Sequence, residues 1–171
     1  QMIWQLYDIK VDALIVQATG PSTSQTPYML PSVPNASFTS ILTAGDAVGN
    51  YTLCGLPDGL GAYDNNNGTF TLLMNHEMGT SAGSVRAHGQ KGAFVSKWVI
   101  NKNDLSVVSG SDLIQNVKLW NGSGYAINTS TLAALGRLCS ADLPAKSAFY
   151  NVVTGNGTTE KIFMNGEENG A

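Results

Sequence analysis

Short apolar runs separated by turn-forming residues make up most of the chain from Phe38 onward. β-branched and aromatic residues are frequent in these runs, and Asn, Asp and Gly lie between them, which is typical of strands joined by turns. The clearest predicted strands cover residues 69–74, 92–100 and 160–164, and weaker candidates cover 105–110 and 113–120. Turns are predicted at 45–50 and 64–68, because Asn, Asp and Gly tolerate positive φ.

One segment, "STLAALGRLCSADLP" at residues 130–144, has the pattern of a helix instead. Its leucines recur at helical spacing, Ser130 or Thr129 can cap its start, and Pro144 can end it. The sequence therefore predicts a mainly β fold with one inserted helix near residues 130–143.

The N-terminal part of the chain differs from the rest. Residues 1–37 combine a mixed apolar segment with the connector "PSTSQTPYMLPSVPNAS", which is rich in Pro and Ser and has no periodicity. Residues 38–171 form the predicted β-rich domain. The 171 residues are enough for one compact domain with a hydrophobic core.

Two stretches of the chain are near-copies of each other. "NGTFTLLMNHE" at 67–77 and "NGTTEKIFMNGE" at 156–167 each contain a turn, a predicted strand and a Met-Asn-x-Glu ending. Coincidence of common turn and strand residues is one explanation, and a structural repeat is the other. An offset of about 90 residues corresponds to about two propeller blades of ~40–50 residues each. In that case the fold is part of a β-propeller with few blades, and acids at the strand ends converge on a central channel.

Composition narrows the classes of partner. Charged residues are 12% of the chain and the net charge is −3, so a basic surface for nucleic acid is excluded. No apolar stretch approaches the roughly 20 residues of a membrane-spanning helix, so no membrane partner is expected.

Several features are typical of an exported protein. Lysines are few, Asn, Thr, Ser and Gly are abundant, and six Asn-x-Ser/Thr triplets make glycosylation a hypothesis. The triplets begin at Asn35, Asn50, Asn67, Asn121, Asn128 and Asn156. We expect an extracellular or periplasmic location, with a signal peptide already removed from the sequence.

The chain has two cysteines, Cys54 and Cys139. They could form one disulfide in an oxidising compartment, or be one metal ligand and one buried thiol. Cys54 precedes Asp58 by four residues across a Pro-Asp-Gly turn, and a thiolate and a carboxylate at this spacing can face one metal. A plain turn with a buried cysteine is the alternative.

Three glutamates end predicted strands. Glu77, Glu167 and Glu168 lie beside glycines, and a site that gathers carboxylates must hold protons or cations. Oxygen clusters suit calcium, and glutamate also binds iron or zinc; solvated loop acids are the alternative. His76 precedes Glu77, but "HEMGT" lacks the second histidine of the zinc-protease motif, so that class is rejected. His76 could be a ligand, a proton donor or a packed strand-end residue.

A cluster of cationic residue types follows the first glutamate motif. "SVRAHGQKG" at residues 84–92 contains Arg86, His88 and Lys91. Beside a metal–carboxylate centre, these side chains could bind an anion such as phosphate. A solvated loop is the alternative.

These pieces, in this order, resemble the PhoX-type alkaline phosphatase family of secreted metal-dependent phosphohydrolases. The matching segments are "CGLPDG", "LLMNHEMG", "RAHGQKGAFVSKWVI" and "FMNGEENGA". The resemblance implies a β-propeller with iron and calcium in its channel, and hydrolysis of phosphate monoesters. It also implies that Glu77, Glu167 and Glu168 are metal ligands, with Cys54 as the thiolate and Asp58 as a further acid.

The leading hypothesis is therefore a secreted phosphohydrolase that acts on phosphate esters by metal-assisted hydrolysis. Arg86 and His88 are its candidate catalytic residues, by position. Because family members are several times longer, we expect this chain to be an N-terminal part, or else to complete its fold by self-assembly through strand edges. The alternative function is a non-catalytic extracellular calcium-binding β-protein, such as a surface-layer or filament subunit.

Overall fold

The structure, a computed structural model, describes residues 16–127 and 132–168. Its strands, in chain order, are β1 Val16–Thr19, β2 Ser37–Ser40, β3 Ala47–Val48, β4 Tyr51–Thr52, β5 Pro57–Asp64, β6 Thr69–His76, β7 Phe94–Asn101, β8 Val107–Asp112, β9 Leu119–Trp120, β10 Tyr125–Ala126, β11 Leu138–Asp142, β12 Tyr150–Asn151, β13 Asn156–Gly157 and β14 Met164–Glu167. A short 3₁₀ helix, Lys146–Ala148, lies between β11 and β12. The prediction of a mainly β fold is confirmed.

The centre of the fold is a four-stranded antiparallel sheet in the order β5-β6-β7-β8. The turn predicted at 64–68 joins β5 to β6, with Asn66 and Gly68 at positive φ. The remaining strands form two-stranded pairs, of which β1–β2 is parallel and the others are antiparallel.

Side chains alternate along β6 and β7, so each face of the central sheet carries apolar side chains. Other segments cover both faces. On the first face, Trp98 and Ile100 of β7 pack with Leu53 and Val107, and Tyr51 meets the Trp98 ring edge-on at 5.2 Å. We call this the Trp98 face.

The other face of the sheet is covered by the β11–β14 pair. Leu73 of β6 and Leu138 of β11 belong to its core. Gly59 and Gly61 of β5 allow the close approach. A Cβ on Gly59 would lie 2.6 Å from the Cys139 carbonyl oxygen, and one on Gly61 would lie 2.8 Å from Phe163. We call this the Leu138 face.

The predicted helix at 130–143 is wrong for the residues that the structure describes. Residues 132–137 have no regular structure and β11 follows, whereas 130 and 131 lie outside the described residues. The backbone groups that a helix would pair internally bond to distant segments. The Leu135 carbonyl accepts from Ala93 N at 2.8 Å, and Arg137 N donates to the Met78 carbonyl at 2.9 Å. Tertiary pairing therefore outweighs local helix propensity here.

The second copy of the predicted repeat is also built differently from the first. In residues 67–77, a turn leads into β6 at the centre of the sheet. In residues 156–167, Asn156–Gly157 belongs to the separate β12–β13 hairpin, and the strand predicted at 160–164 begins only at Met164. The second strand is exposed along its whole length, and from the second copy Phe163, which precedes that strand, packs against the core of the Leu138 face.

One four-stranded antiparallel sheet is the content of a single propeller blade. Within residues 16–127 and 132–168, the other sheets have two strands each and none closes, so a propeller is not confirmed. β1 pairs with β2 across the predicted division at residue 37, which stays a prediction. In the described part of the chain, no helix has the length and apolar character needed to cross a membrane.

Candidate metal and anion site

Two different clusters lie at the same end of the central sheet, one on each face. They arise where β6 ends, because successive side chains of a strand point to opposite faces. His76 pairs across the sheet with Phe94 on the Trp98 face. Glu77, the next residue, approaches β11 on the Leu138 face, where it contacts Arg137.

On the Leu138 face, Asp58, Glu77 and Cys139 come together. Each offers one ligand atom, and the three atoms lie within 4.8 Å of one another. Asp58 comes from the bulged start of β5, Glu77 from the end of β6 and Cys139 from β11, so three separate segments build the group. Asp58 is exposed, and the other two are partly buried.

Arg137 binds the carboxylates beside this group. Its Nε and Nη2 atoms donate to Glu77 Oε1 at 3.0 and 2.7 Å, and Nη2 lies 2.6 Å from Glu168 Oε2. The neighbouring Glu167 accepts a hydrogen bond from Gly136 N at 2.7 Å. Glu77, which ends the first copy of the echoed sequence, and Glu168, which directly follows the second, thus meet through one guanidinium.

The protonation states in this cluster are shifted in opposite directions. The Arg137 hydrogen bond, followed by one from Cys139, lowers the pKa of the Glu77 carboxyl. Desolvation and the nearby Glu77 carboxylate raise the pKa of the Cys139 thiol to about 12. At neutral pH the Glu77 carboxylate is charged and the Cys139 thiol holds its proton, with Sγ 3.3 Å from the Arg137 carbonyl oxygen as well as beside Glu77. A metal that binds this thiol must displace a proton.

Asn75 adds a buried polar group beside the cluster. Its side-chain nitrogen donates to the carbonyl oxygens of Cys139 at 3.3 Å and Ser140 at 3.2 Å. The side chain is fully buried, and its Oδ1 atom has no hydrogen-bond partner among the residues that the structure describes. A buried acceptor without a donor is uncommon and points to a water or a cation next to it.

On the Trp98 face, His76 is a packed structural residue. It is fully buried, its ring stacks on Phe94 at 4.0 Å, and its Nδ1 lies 3.0 Å from the Cys54 carbonyl. Nε2 lies 2.7 Å from Ser96 Oγ, which also accepts from the Trp98 indole. Burial lowers the pKa of His76 to about 4, so the ring is neutral at pH 7 and donates one proton and accepts one.

Cys54 and Arg86 also lie on the Trp98 face. Arg86 Nη2 donates to Cys54 Sγ at 2.7 Å, Nη1 lies 3.5 Å from Asp112 Oδ1, and the guanidinium stacks over Phe94 at 3.6 Å. The Arg86 side chain is 14% exposed. With these contacts and this low exposure, the guanidinium offers little surface to a substrate.

His88 is buried close to the same cluster. The residue is 5% exposed, and neither ring nitrogen has a hydrogen-bond partner within residues 16–127 and 132–168. Desolvation lowers the pKa of His88, so this ring is also neutral at pH 7.

The structure thus brings together some of the residues that the sequence selected. Asp58 and Glu77 meet, and Glu168 joins them through Arg137. Glu167 bonds to the backbone of Gly136, and Cys54 contacts Arg86 instead of the Asp58–Glu77 pair. The thiol in the three-residue group is Cys139. The described cysteines are both free, so of the alternatives left open, a disulfide is not formed in this structure.

Two residues of the cluster, Arg137 and Cys139, are absent from the sequence-based set. Both lie in the segment "GRLC", inside the predicted helix, where Arg137 has no predicted role and Cys139 is considered only together with Cys54. The available signal is Arg137 directly after Gly136, with Cys139 two residues further on.

Searches of known protein families, curated proteins and solved structures found no match to this chain.

Proposed function

We propose that this chain is part of a secreted metal-dependent phosphohydrolase that acts on phosphate monoesters, with its cation held by Asp58, Glu77 and Cys139. The observation that carries the proposal is the convergence of one thiol and two carboxylates within 4.8 Å. The resemblance of the surrounding segments to PhoX-type phosphatases supports the choice of substrate.

The donor set fits a transition metal such as iron better than calcium. Calcium takes oxygen ligands almost exclusively, whereas a sulfur donor suits iron or zinc. Calcium would require an oxygen site, for which Glu167, Glu168 and the unpartnered Asn75 Oδ1 are the candidates near this group. A bound cation would supply charge neutralisation for a phosphoryl group.

The chain's own residues would contribute position and charge. Cys139 lies in β11 and Glu77 directly follows the last residue of β6, so these two strands position both side chains. In this proposal β5–β8 form one blade of a propeller, which other segments or other copies complete. Export to the periplasm or the outside of the cell is part of the same proposal.

Cobalt binding tests the proposal through a spectroscopic signal. Co²⁺ bound to a thiolate gives an intense near-ultraviolet charge-transfer absorption that oxygen ligands do not give. We expect this band in the wild-type chain and in Cys54→Ser, and its loss in Cys139→Ser. Absence of cation binding in the wild type, or a band that depends on Cys54, would reject the proposed site. Hydrolysis of a chromogenic phosphate ester by the loaded chain then tests the activity.

The second candidate function is a non-catalytic extracellular protein that binds calcium and assembles through its edges. One observation favours it. Val152 and Val153, in the turn between β12 and β13, are 82% and 89% exposed. Sedimentation with calcium and with chelator tests this function, which requires calcium-dependent oligomers and no hydrolysis of the ester.

A further inference from the structure

We propose that Arg137 is the phosphate-binding residue of this site, and that it exchanges its present carboxylate partners for the phosphate of the substrate. This inference rests on the proposed function and deepens it. It replaces Arg86 and His88 in the role that their sequence positions suggested.

The first step is the choice between the two arginines near the end of β6. Arg86 is 14% exposed, donates to Cys54 and lies against Asp112 and the Phe94 ring. To release it would break a partly buried ion pair and a ring contact. Arg137 is 48% exposed, and its ion-pair partners Glu77 and Glu168 are 23% and 51% exposed. Exposed ion pairs contribute little stability, so its head group can change partners at low cost.

The second step concerns the backbone of Arg137. Hydrogen bonds to other segments fix this backbone, whereas the guanidinium is about half-exposed. Its N–H donates to the Met78 carbonyl at 2.9 Å, and its carbonyl accepts from Glu168 N at 3.1 Å. Its φ is +40°, a conformation that the surrounding bonds must maintain. The side chain therefore starts from a fixed point beside the three-residue group, which suits a substrate ligand.

The third step is electrostatic. Glu77 contributes one ligand atom to the group with Asp58 and Cys139, and it is also the main partner of Arg137. A dication bound by Glu77 would neutralise the carboxylate that holds the guanidinium and would repel the guanidinium itself. The guanidinium would then lie beside a cation and would have lost the charge of its main carboxylate partner. A phosphate dianion can contact both, because guanidinium binds phosphate oxygens in a bidentate geometry.

Without a dication, the same geometry disfavours phosphate. Glu77 and Glu168 then occupy the guanidinium, and their charges together with that of Asp58 repel an anion. The exchange thus makes phosphate binding depend on the cation. The test therefore includes a phosphate titration of the chain without a cation.

Titration of inorganic phosphate into the full chain, with and without prior loading by Co²⁺, tests the inference. We expect measurable phosphate binding in the Co²⁺-loaded wild type and none without cation. In Arg137→Gln, phosphate affinity of the loaded chain should fall about tenfold or more, since a charged bidentate contact is lost. In Glu168→Gln the guanidinium loses one competitor, and affinity should rise by about two- to fivefold.

Two further variants separate binding from folding. Lys102→Gln breaks an exposed ion pair with Asp64, at 2.5 Å, at the other end of β5, and should leave phosphate binding unchanged. Arg137→Lys keeps the charge without the planar fork and should bind with intermediate affinity. A shared loss of melting temperature in Arg137→Gln and Arg137→Lys, with equal loss of phosphate binding, would mean a structural role and overturn the inference.

The outcomes also separate the inference from the proposed function. If Co²⁺ loads normally and Arg137→Gln binds phosphate like the wild type, the inference is wrong and the metal site stands. If the loaded wild type does not bind phosphate, the inference is wrong as well. If Co²⁺ does not bind to the wild type, the proposed metal site fails, and the inference fails with it.

Discussion

The two clusters at the end of β6 have similar ingredients and opposite character. Each contains a cysteine and an arginine next to a carboxylate. On the Trp98 face these groups are largely buried, and Arg86 and His76 have partners for their polar atoms. On the Leu138 face, Glu77 and Glu168 share the guanidinium of Arg137, and Asp58 lies beside Glu77. Apart from His88, whose ring nitrogens have no partner among the described residues, the first arrangement pairs its polar side chains internally, whereas the second has unbalanced negative charge.

The end of β6 thus has a structural cluster on the Trp98 face and a candidate binding cluster on the Leu138 face. A buried network with paired groups rigidifies the fold and leaves no atom for a ligand. An open cluster with excess carboxylates costs repulsion, which a bound cation relieves. The faces should therefore respond differently to substitution, the Trp98 face through stability and the Leu138 face through binding.

The largest stability effect is expected at His76 on the Trp98 face. His76→Ala removes a fully buried ring, its stacking on Phe94 and its bonds to Ser96 and Cys54. We expect a loss of about 3–5 kcal/mol in the free energy of unfolding, measured by urea denaturation. A loss below about 1 kcal/mol would show that this network is not structural.

The next effect is on the pH dependence of stability. The pKa of His76 is lowered to about 4 in the folded chain, against about 6.5 when unfolded, so only the unfolded chain gains the proton between these values. Stability should be constant above pH 6.5 and fall as pH decreases to 4, by on the order of 3 kcal/mol. His88, whose pKa is also lowered, adds in the same direction.

Urea denaturation between pH 4 and pH 8 checks this dependence. His76→Asn keeps a polar group in the network and loses the titration, so its curve should be flatter and retain the parts due to His88 and to carboxyls with lowered pKa such as Glu77. Equal slopes in the wild type and His76→Asn would contradict the assignment.

A smaller effect is expected where β11 and β14 pack on the sheet. Gly61→Ala would bring a Cβ to 2.8 Å from both Leu143 and Phe163, so these side chains must move. We expect a loss of about 1–3 kcal/mol by thermal or urea unfolding. Gly79→Ala is the control, because nothing lies within 4 Å of the Cβ that it adds. Gly68→Ala is unsuitable as a control because Gly68 has a positive φ. Equal stability of Gly61→Ala and Gly79→Ala would contradict the close packing.

The smallest stability effect is expected at Arg137. Arg137 and Glu168 are about half-exposed and Glu77 is partly exposed, so Arg137→Gln should change the free energy of unfolding by less than about 1 kcal/mol. Circular dichroism melting of this variant beside His76→Ala measures the contrast between the faces directly. A destabilisation by Arg137→Gln as large as that by His76→Ala would remove the distinction between them.

The strands at the sheet centre could be predicted from sequence because their residues agree with their environment. "TFTLLM" and "FVSKWVI" are β-branched and aromatic, and the structure has β6 and β7 there. The helix prediction is wrong over residues 132–143, although the leucine spacing there fits a helix. Leu135 and Leu138 instead meet a core built by β6 and β7, and that contact is tertiary.

The part of the site that follows a strong local pattern could also be predicted from sequence. Glu77 could be selected because it follows a strong strand, and the echoed sequence points to Glu167 and the adjacent Glu168. The pairing of Asp58 with Cys139 depends on how closely β11 lies over Gly59, which no local pattern contains. Cys54 is close to Asp58 in sequence, but the turn predicted at Pro-Asp-Gly is wrong: residues 57–59 begin β5, and Cys54 contacts Arg86.

The most direct test of the account is Co²⁺ absorption by the wild-type chain, Cys139→Ser and Cys54→Ser, measured side by side. The account predicts a thiolate charge-transfer band in the wild type and Cys54→Ser, and none in Cys139→Ser. A band that survives Cys139→Ser, or that disappears with Cys54→Ser, would contradict the assignment of the metal site to the Leu138 face.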